Sequence, residues 1–209
     1  MSREPTVAPV RLGRYLSYWF ERSPRRALHY AAYYTFAARL IGSGRRVLDL
    51  GCSEGLGTWI LARHCGAAKG VDLDREALEA ARANWTGPSI AFLEADLLGL
   101  EAELWDAVVS FDTVEHIDPA RAEGFFRTLG ASLAPDGVAV VGTPSLEGQA
   151  FASAVSRAGH INLYDFERLE ASMARQFRHV FMFCANDEVV HTGYPRLAHY
   201  LIAVGCVPA

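Results

Sequence analysis

Residues 45–61 have the sequence RRVLDLGCSEGLGTWIL, and this stretch decides the fold. Its first part, Val47 to Leu50, is apolar and β-prone without alternating polar residues, as expected of a parallel strand covered on both faces. Glycines follow at positions 51, 55 and 57, and the apolar segment from Leu56 onwards is typical of a helix. The stretch therefore predicts a central strand, a glycine-rich loop and a helix, in that order.

The glycine-rich loop has the properties of a binding loop for a nucleotide-like ligand. Glycine lets the backbone approach a ligand closely and adopt positive φ angles. A loop between the end of a strand and the start of a helix also favours polar or anionic groups. The dinucleotide fingerprint G-x-G-x-x-G would need glycines at 51, 53 and 56, but the chain has Ser53 and Leu56. The spacing therefore disfavours a nicotinamide cofactor.

The pattern Asp49-x-Gly51-x-Ser53-x-Gly55-x-Gly57 resembles motif I of the class I S-adenosylmethionine-dependent methyltransferases. That motif is usually written (D/E)-x-G-x-G-x-G, and Ser53 replaces its middle glycine. The resemblance covers about residues 28–207. It implies S-adenosyl-L-methionine as the cofactor and methyl transfer as the activity.

Length and composition restrict the alternatives. A chain of 209 residues suits a single domain, here expected over residues 11–209 after a disordered lead at 1–10. A net charge of −4 without a dense Lys/Arg run argues against nucleic acid as a partner. Four cysteines without C-x-x-C spacing, and no signal peptide or apolar span, predict a soluble cytoplasmic protein with no membrane partner. The sequence leaves the oligomeric state open.

Strand and helix patterns alternate through the middle of the chain, which predicts a doubly wound, parallel α/β sheet. The predicted strands after the first are residues 67–74, 90–94, 105–111 and 138–143. Two further strand patterns, 177–184 and 200–207, have no helix pattern between them and predict a terminal antiparallel hairpin. By resemblance, the sheet has seven strands in the order 3-2-1-4-5-7-6, with the last strand antiparallel, in a Rossmann-like methyltransferase fold.

We divide the expected domain into four segments. Residues 11–42 form an N-terminal helical cap, and residues 45–143 form the cofactor-binding core. Residues 144–165 form a long connection that suggests a functional loop bordering the acceptor. Residues 166–209 contain a helix and the terminal hairpin.

Several residues are expected to bind the cofactor. Asp72 ends the second strand about twenty residues after the loop, where an acid can accept hydrogen bonds from ribose hydroxyls; Asp74 is the expected cap of the next helix. The resemblance implies that Leu73 lies against the adenine and that Asp96 and the Leu97 amide contact its edge. It also implies that Asp49 orients the loop and that carbonyls near Cys52 and Ser110 bind the methionine ammonium. Gly51, Ser53 and Gly55 are the expected loop contacts.

His116 is the first candidate for catalysis, and His160 is the second. The segment Ser110 to Ile117 is similar to the D-x-x-x-H-(I/V) segment of the ubiquinone-type methyltransferases, and a histidine suits a general base for a hydroxyl acceptor. A structural hydrogen bond that braces the loop is the alternative. Asp112, Glu115 and His116 could bind a divalent metal, but one loop rarely supplies a full ligand set. The sequence therefore predicts no metal site.

Other residues are candidates for the acceptor pocket. His160, Tyr164 and Asp165 belong to a segment that resembles H-x-x-x-(Y/F)-(S/T/D) in sugar and natural-product methyltransferases, where it borders the acceptor; Asp165 could also cap the next helix. The aromatic N-terminal helix, with Tyr30 and Tyr34, could supply acceptor contacts or simply pack on the sheet. The loop at 186–195 could contribute His191 and Tyr194, or be a solvated loop.

The predicted function is methyl transfer to a small-molecule acceptor such as a sugar or a polyketide, with oxygen preferred over nitrogen. The (D/N/S)-P-P-(Y/F) segment of nucleic-acid amino methyltransferases and the Pro-Cys nucleophile of pyrimidine C5 methyltransferases are both missing. Two alternatives remain: a non-catalytic cofactor-binding or scaffold module on the same fold, and a nicotinamide-dependent oxidoreductase.

Overall fold

The computed structural model describes residues 9–101 and 103–209. Most of the expected disordered lead, residues 1–8, lies outside this part of the chain. The helices are α1 (Arg14–Arg22), α2 (Pro24–Ile41), α3 (Leu56–Cys65), α4 (Arg75–Asn84), α5 (Ala122–Ala131), α6 (Ala154–Gly159) and α7 (Phe166–Ala174). The strands are β1 (Arg45–Leu50), β2 (Gly66–Asp72), β3 (Ile90–Glu94), β4 (Trp105–Phe111), β5 (Leu133–Pro144), β6 (Phe177–Ala185), β7 (Val190–His191) and β8 (Tyr200–Pro208).

Within the described residues, the strands form one eight-stranded sheet in the order β3-β2-β1-β4-β5-β8-β6-β7. The first five strands in this order pair in parallel. Strand β8 runs antiparallel to both β5 and β6. The predicted methyltransferase sheet order is thus confirmed, with the two-residue strand β7 added at the edge beside β6.

Both faces of the sheet are covered, which explains the apolar sequence of β1. On one face, α5 and α7 bury Phe125, Leu129, Leu169 and Met173 against the sheet. On the other face, α2 and α3 bury their own apolar side chains, including Tyr34, Ala37, Ile60 and Leu61. The strands of such a two-sided sheet need apolar residues at successive positions.

The ends of the helices confirm some expectations and correct others. Asp74 and Asp165 cap α4 and α7, because their side chains accept hydrogen bonds from the amides of Ala77 and Arg168. The pair Ser23-Pro24 is typical of an N-cap residue and a first helical residue, and Ser23 is indeed the N-cap residue of α2, although its side chain makes no capping hydrogen bond. The sequence Asp118-Pro119 predicts the start of a helix that ends at about Leu133. Helix α5 instead begins at Ala122, because Asp118 forms a turn in which its carbonyl accepts from the amide of Arg121.

All four cysteines are free thiols. Among the helices of the described residues, none combines the length and the apolar character that crossing a membrane requires.

Candidate cofactor and acceptor site

The loop between β1 and α3 is built from residues with positive φ angles. The φ angles of Gly51, Ser53 and Gly55 are +81°, +47° and +77°. The amides of Gly51 and Cys52 both donate to the carbonyl of Val71, at 2.8 and 3.1 Å, which fixes the loop to the end of β2. Ser53 thus adopts the left-handed conformation that glycine adopts most easily.

Asp72 connects this loop to the start of α4. Its carboxylate accepts hydrogen bonds from the amide of Ser53 at 2.7 Å and from the amide of Asp74 at 2.8 Å. These two bonds orient the carboxylate at the carboxyl end of β2. This is the edge of a parallel sheet at which ligands bind in doubly wound folds.

A cavity of about 500 Å³ opens at this edge. Its volume lies in the range of small-molecule sites, about 300–1,000 Å³. Seven of the predicted site residues line it: Tyr30, Gly51, Ser53, Asp72, Leu73, Leu97 and His116. The other lining residues are Tyr15, Trp19, Arg26, Asp74, Phe111, Asp112, Thr113 and Ile117. The structure thus brings the glycine loop, the ends of β2 and β4 and the N-terminal helices around one cavity.

Asp49 lies beneath the loop and does not line the cavity. Its side chain is fully buried and accepts hydrogen bonds from the hydroxyls of Tyr34 at 2.9 Å and Thr58 at 2.6 Å. Burial raises the pKa of Asp49 to about 7. Asp49 therefore joins α2 and α3 to β1, and any effect on a ligand would pass through the loop.

Tyr34 differs from its predicted role as an acceptor contact. It is fully buried, its hydroxyl is used by Asp49, and its ring packs edge-on against Phe111 at a centroid distance of 4.9 Å. Tyr30, one helical turn earlier, does line the cavity. The alternative of packing on the sheet therefore holds for Tyr34, and the cap alternative remains for Tyr30.

Cys52, Gly55 and Ser110 also lie behind the cavity wall. The carbonyl of Cys52 already accepts from the amide of Gly55 at 2.9 Å, which forms the turn into α3. Gly55 is the N-cap residue of that helix. The hydroxyl of Ser110 donates to the carbonyl of Leu50 at 2.7 Å and ties β4 to β1. These residues shape the loop from behind.

Asp96 lies next to the cavity residue Leu97 but is occupied elsewhere. Its carboxylate accepts from the amide of Leu98 at 3.0 Å and forms an ion pair with Arg121 at 2.9 Å. The hydrogen bond from Leu98, followed by that from Arg121, lowers the pKa of Asp96. In this arrangement Asp96 organises the turn that carries Leu97.

His116 lines the cavity and is in contact with His160. Their rings pack edge-on at a centroid distance of 5.1 Å. Nδ1 of His116 lies 2.9 Å from the carbonyl of Gly159, and Nδ1 of His160 lies 3.2 Å from Oε1 of Gln149. Burial, and then the nearby His116, lower the pKa of His160 to about 4, so that its imidazole is neutral at pH 7.

Glu115 lies next to this histidine pair and was missed as a member of it. It is fully buried, and Oε2 accepts from the hydroxyl of Thr143 at 3.0 Å. Burial, and then the charge of Asp112, raise the pKa of Glu115 above its ordinary range. An acid buried at the end of a strand cannot be recognised from spacing, because exposed loop acids show the same pattern.

Tyr164 and His191 lie outside the cavity. Tyr164 is buried among the residues of the α5 and α7 side of the sheet, beneath the guanidinium of Arg168 at 4.1 Å from its ring. His191 belongs to the edge strand β7, where Nδ1 accepts from the amide of Gly193. Tyr194 is exposed. The solvated-loop alternative thus describes residues 186–195 better than an acceptor role.

Sequence reasoning also missed an ion pair in the cavity wall. Arg26 of α2 lies 2.8 Å from Asp112, which has a φ angle of +54° at the end of β4. The guanidinium also lies over the ring of Trp19, at 5.4 Å. The four-residue spacing of Arg26 and Tyr30 places both on one helix face, and this was the signal available in the sequence.

Helix α1 is attached to the glycine loop and to the start of α4. The carboxylate of Glu54, in the glycine loop, accepts from the amides of Tyr15 at 2.6 Å and Leu16 at 3.2 Å. Arg14 forms an ion pair with Asp74 at 2.8 Å. Since Tyr15 and Trp19 line the cavity, these bonds hold α1 as its cover.

The residues around the cavity fit a nucleoside-containing cofactor. The wall includes the backbone turn at Gly51, the oriented carboxylate of Asp72 and the apolar side chains of Leu73 and Leu97. Polar and aromatic side chains complete it. Apolar walls with a few oriented polar groups are the usual composition of such sites.

Several known proteins are similar to this chain. Residues 47–137 match a protein-family model described as a methyltransferase domain. A probable S-adenosylmethionine-dependent methyltransferase of Mycobacterium tuberculosis is 33% identical over 132 residues, which are 62% of this chain and 43% of that protein. The chain spans about half the length, or less, of the curated relatives that it matches.

Solved structures share the fold. The N-methyltransferase NodS of Bradyrhizobium japonicum, crystallised with S-adenosyl-L-homocysteine, is 21% identical, with a TM-score of 0.62 over 91% of this chain and 88% of that chain. An S-adenosylmethionine-dependent methyltransferase of Thermotoga maritima is 15% identical, with a TM-score of 0.70 over 92% and 96% of the two chains. The matched region, the sheet order and the solved structures agree: residues 47–137 are similar to a methyltransferase domain, and the chain has the fold of S-adenosylmethionine-dependent methyltransferases.

Proposed function

We propose that the protein transfers a methyl group from S-adenosylmethionine to a small-molecule acceptor, with oxygen preferred as the acceptor atom. The observation that carries this proposal is the cavity that is lined both by the glycine loop with Asp72 and by His116; Asp72 and His116 come from strand ends separated by β1. A methyltransferase needs such an arrangement, because donor and acceptor must meet in line.

The cofactor side is assigned to residues that line the cavity. Asp72 would accept hydrogen bonds from the ribose hydroxyls, and Leu73 and Leu97 would enclose the adenine. Gly51 and Ser53 would contact the methionine end through their backbone. Bound S-adenosylmethionine supplies a methyl group on a sulfonium, which is a good leaving group, so positioning of the acceptor can provide much of the rate.

We assign His116 to the acceptor side of the cavity, as the general base. Its Nδ1 donates to the carbonyl of Gly159, so Nε2 carries the free lone pair. That nitrogen can take the proton of a hydroxyl acceptor as the oxygen is methylated. His160 packs against His116 and restricts the orientation of its ring.

The cavity supports a small molecule as the acceptor. Aromatic side chains from α1 and α2 cover it, and the Arg26–Asp112 ion pair offers both charges in its wall. A sugar or a polyketide, which presents hydroxyls on a compact frame, suits these surroundings. An amine acceptor is the second candidate, since NodS, with the same fold, is an N-methyltransferase.

Activity on a panel of sugars, phenols and polyketides tests the proposal. We expect a mass increase of one methyl group on an acceptor, with S-adenosylhomocysteine formed in equal amount. Tight cofactor binding without methylation of any acceptor would instead favour the non-catalytic module.

The variant His116→Ala tests the acceptor side. Turnover should fall roughly 100-fold or more, in the range of general-base catalysis, while the affinity for S-adenosylhomocysteine changes little. His179→Ala removes an exposed histidine of β6 and serves as the matched control. Equal turnover of His116→Ala and the parent across pH would remove His116 from catalysis.

The variant Asp72→Asn tests the cofactor side. Loss of the charged acceptor should weaken S-adenosylhomocysteine binding about tenfold or more, since a hydrogen bond to a charged group contributes about 1.5–3 kcal/mol. Glu94→Gln changes an exposed acid at the end of the neighbouring strand β3 and should leave the affinity unchanged. Unchanged affinity in Asp72→Asn would refute the ribose contact.

A further inference from the structure

Glu115, His116 and His160 form a cluster that the sequence could not show. One potential ligand atom from each residue lies within 4.8 Å of the others. Glu115 and His116 come from the turn after β4, whereas His160 follows α6. The sequence argument against a metal considered one loop alone, and the fold adds a ligand from a second loop.

The carboxylate of Glu115 is the first sign that this cluster takes a cation. The residue is fully buried, and within the described part of the chain Oε1 has no hydrogen-bond partner. The nearest histidine nitrogen, Nε2 of His116, is 4.0 Å from it, too far for a hydrogen bond. Buried carboxylates are normally paired or coordinate a metal.

The outer contacts of all three side chains are those of metal ligands. His116 and His160 each have Nδ1 near an oxygen, of Gly159 and of Gln149, so that Nδ1 donates and Nε2 is left with its lone pair. The second oxygen of Glu115 is held by the hydroxyl of Thr143. Metal-binding histidines commonly donate their other N–H to a carbonyl or carboxylate, and metal-binding carboxylates are also hydrogen-bonded.

The two loops are also fixed to each other through their backbone. The amides of Ile161 and Asn162 both donate to the carbonyl of Glu115, at 2.9 and 3.0 Å. The side chain of Asn162 donates to the carbonyl of Val114 at 3.0 Å. Ligands of one tetrahedral ion lie about 3.4 Å apart, so small side-chain rotations would close the set while the backbone stays in place.

We propose that Glu115, His116 and His160 form a binding site for a divalent transition metal. Two imidazole nitrogens and one carboxylate suit zinc, cobalt, manganese or iron rather than calcium. Three protein ligands leave coordination positions open, and because His116 lines the cavity, these positions are next to the proposed acceptor. The proposal deepens the acceptor side of the proposed function, because a metal on Nε2 would replace the base role of His116.

Cobalt(II) is the probe for this site, since its bound form has visible absorption bands. The full chain, treated with a chelator and dialysed, should bind one equivalent of Co²⁺ with a change in its visible spectrum. His160→Ala should weaken this binding about 10-fold to 100-fold or more, as should Glu115→Gln. Gln149→Ala, which removes only the partner of His160, should weaken it by a smaller factor.

Two comparisons keep the test decisive. His179→Ala should bind Co²⁺ like the parent, which separates the site from exposed histidines. Each variant is also titrated with S-adenosylhomocysteine to show that it is folded, because the residues proposed to bind this molecule do not belong to the metal cluster. The absence of saturable Co²⁺ binding, or equal binding by the parent and a folded His160→Ala variant, would overturn the metal site and leave the methyl-transfer proposal and the base role of His116 intact.

Discussion

Gly51 and Gly42 have the same φ angle, +81°, in different surroundings. A Cβ atom at Gly42 would meet nothing within 4 Å, whereas one at Gly51 would lie 2.1 Å from Oγ1 of Thr113. Gly42→Ala should lower the free energy of unfolding by about 1–3 kcal/mol, because a φ angle of 81° with a ψ angle of 177° is a backbone conformation essentially restricted to glycine. Gly51→Ala should lower it by about 1–3 kcal/mol more than Gly42→Ala, because overpacking adds that amount. Urea unfolding measures both, and equal losses would contradict the described contact with Thr113.

For single residues, motif spacing predicts which side chains lie at the ends of strands, but not how deeply a side chain is buried. Motif spacing predicted Gly51, Asp72 and Leu97 as cofactor contacts, because it identifies the ends of strands, and those ends line the cavity. Asp49 and Tyr34 are buried beneath the loop, and spacing does not indicate such depth. His160 was predicted near the acceptor, but its contact with His116 depends on how two distant loops pack.

At the scale of elements, α1 is held by one buried side chain. Glu54 accepts the amides of Tyr15 and Leu16, so Glu54→Ala removes the cap of α1 and should cost about 1–2 kcal/mol. Because Tyr15 and Trp19 line the cavity, the affinity for S-adenosylhomocysteine should fall several-fold and the α1 amides should exchange hydrogen faster. Calorimetry and hydrogen exchange measure the two effects.

Asp165→Ala is the matched control for this variant. It removes a comparable cap from α7 and should lower stability by about 1 kcal/mol without changing the affinity. If Glu54→Ala kept both the affinity and the amide protection of α1, the described attachment of this helix would be wrong.

The elements themselves were largely predictable. Strands β3 and β4 have the predicted bounds, because β-prone runs there are bounded by turn residues. The predicted start of α5 at Asp118 was wrong, since the turn at Asp118 depends on hydrogen bonds that local propensity does not show. Ser23 is the N-cap residue of α2 and Pro24 begins that helix, as predicted.

At the scale of the whole molecule, the buried Asp49 makes stability depend on pH. Its pKa is raised from 3.8 to about 7, so the folded state keeps a proton that the unfolded state loses between these values. This contribution is fully present below pH 4 and is lost as the pH rises through 7. Between pH 5 and pH 7, the free energy of unfolding should fall by about 2 kcal/mol on account of this group.

The variant Asp49→Asn should remove that part of the slope. Urea unfolding at pH 5 and pH 7 compares it with the parent and with Asp136→Asn, which changes an exposed acid of β5. Asp136→Asn should keep the slope of the parent. A parent and an Asp49→Asn variant with the same slope would show that Asp49 is ionised in the folded protein.

Calorimetric titration with S-adenosylhomocysteine, with NADH titrated in parallel, tests the cofactor assignment most directly. The cavity should bind one equivalent of S-adenosylhomocysteine, and NADH should show no saturable binding, because Ser53 and Leu56 stand where a dinucleotide loop needs glycines. Binding of NADH, or no binding of S-adenosylhomocysteine by a folded protein, would contradict the account.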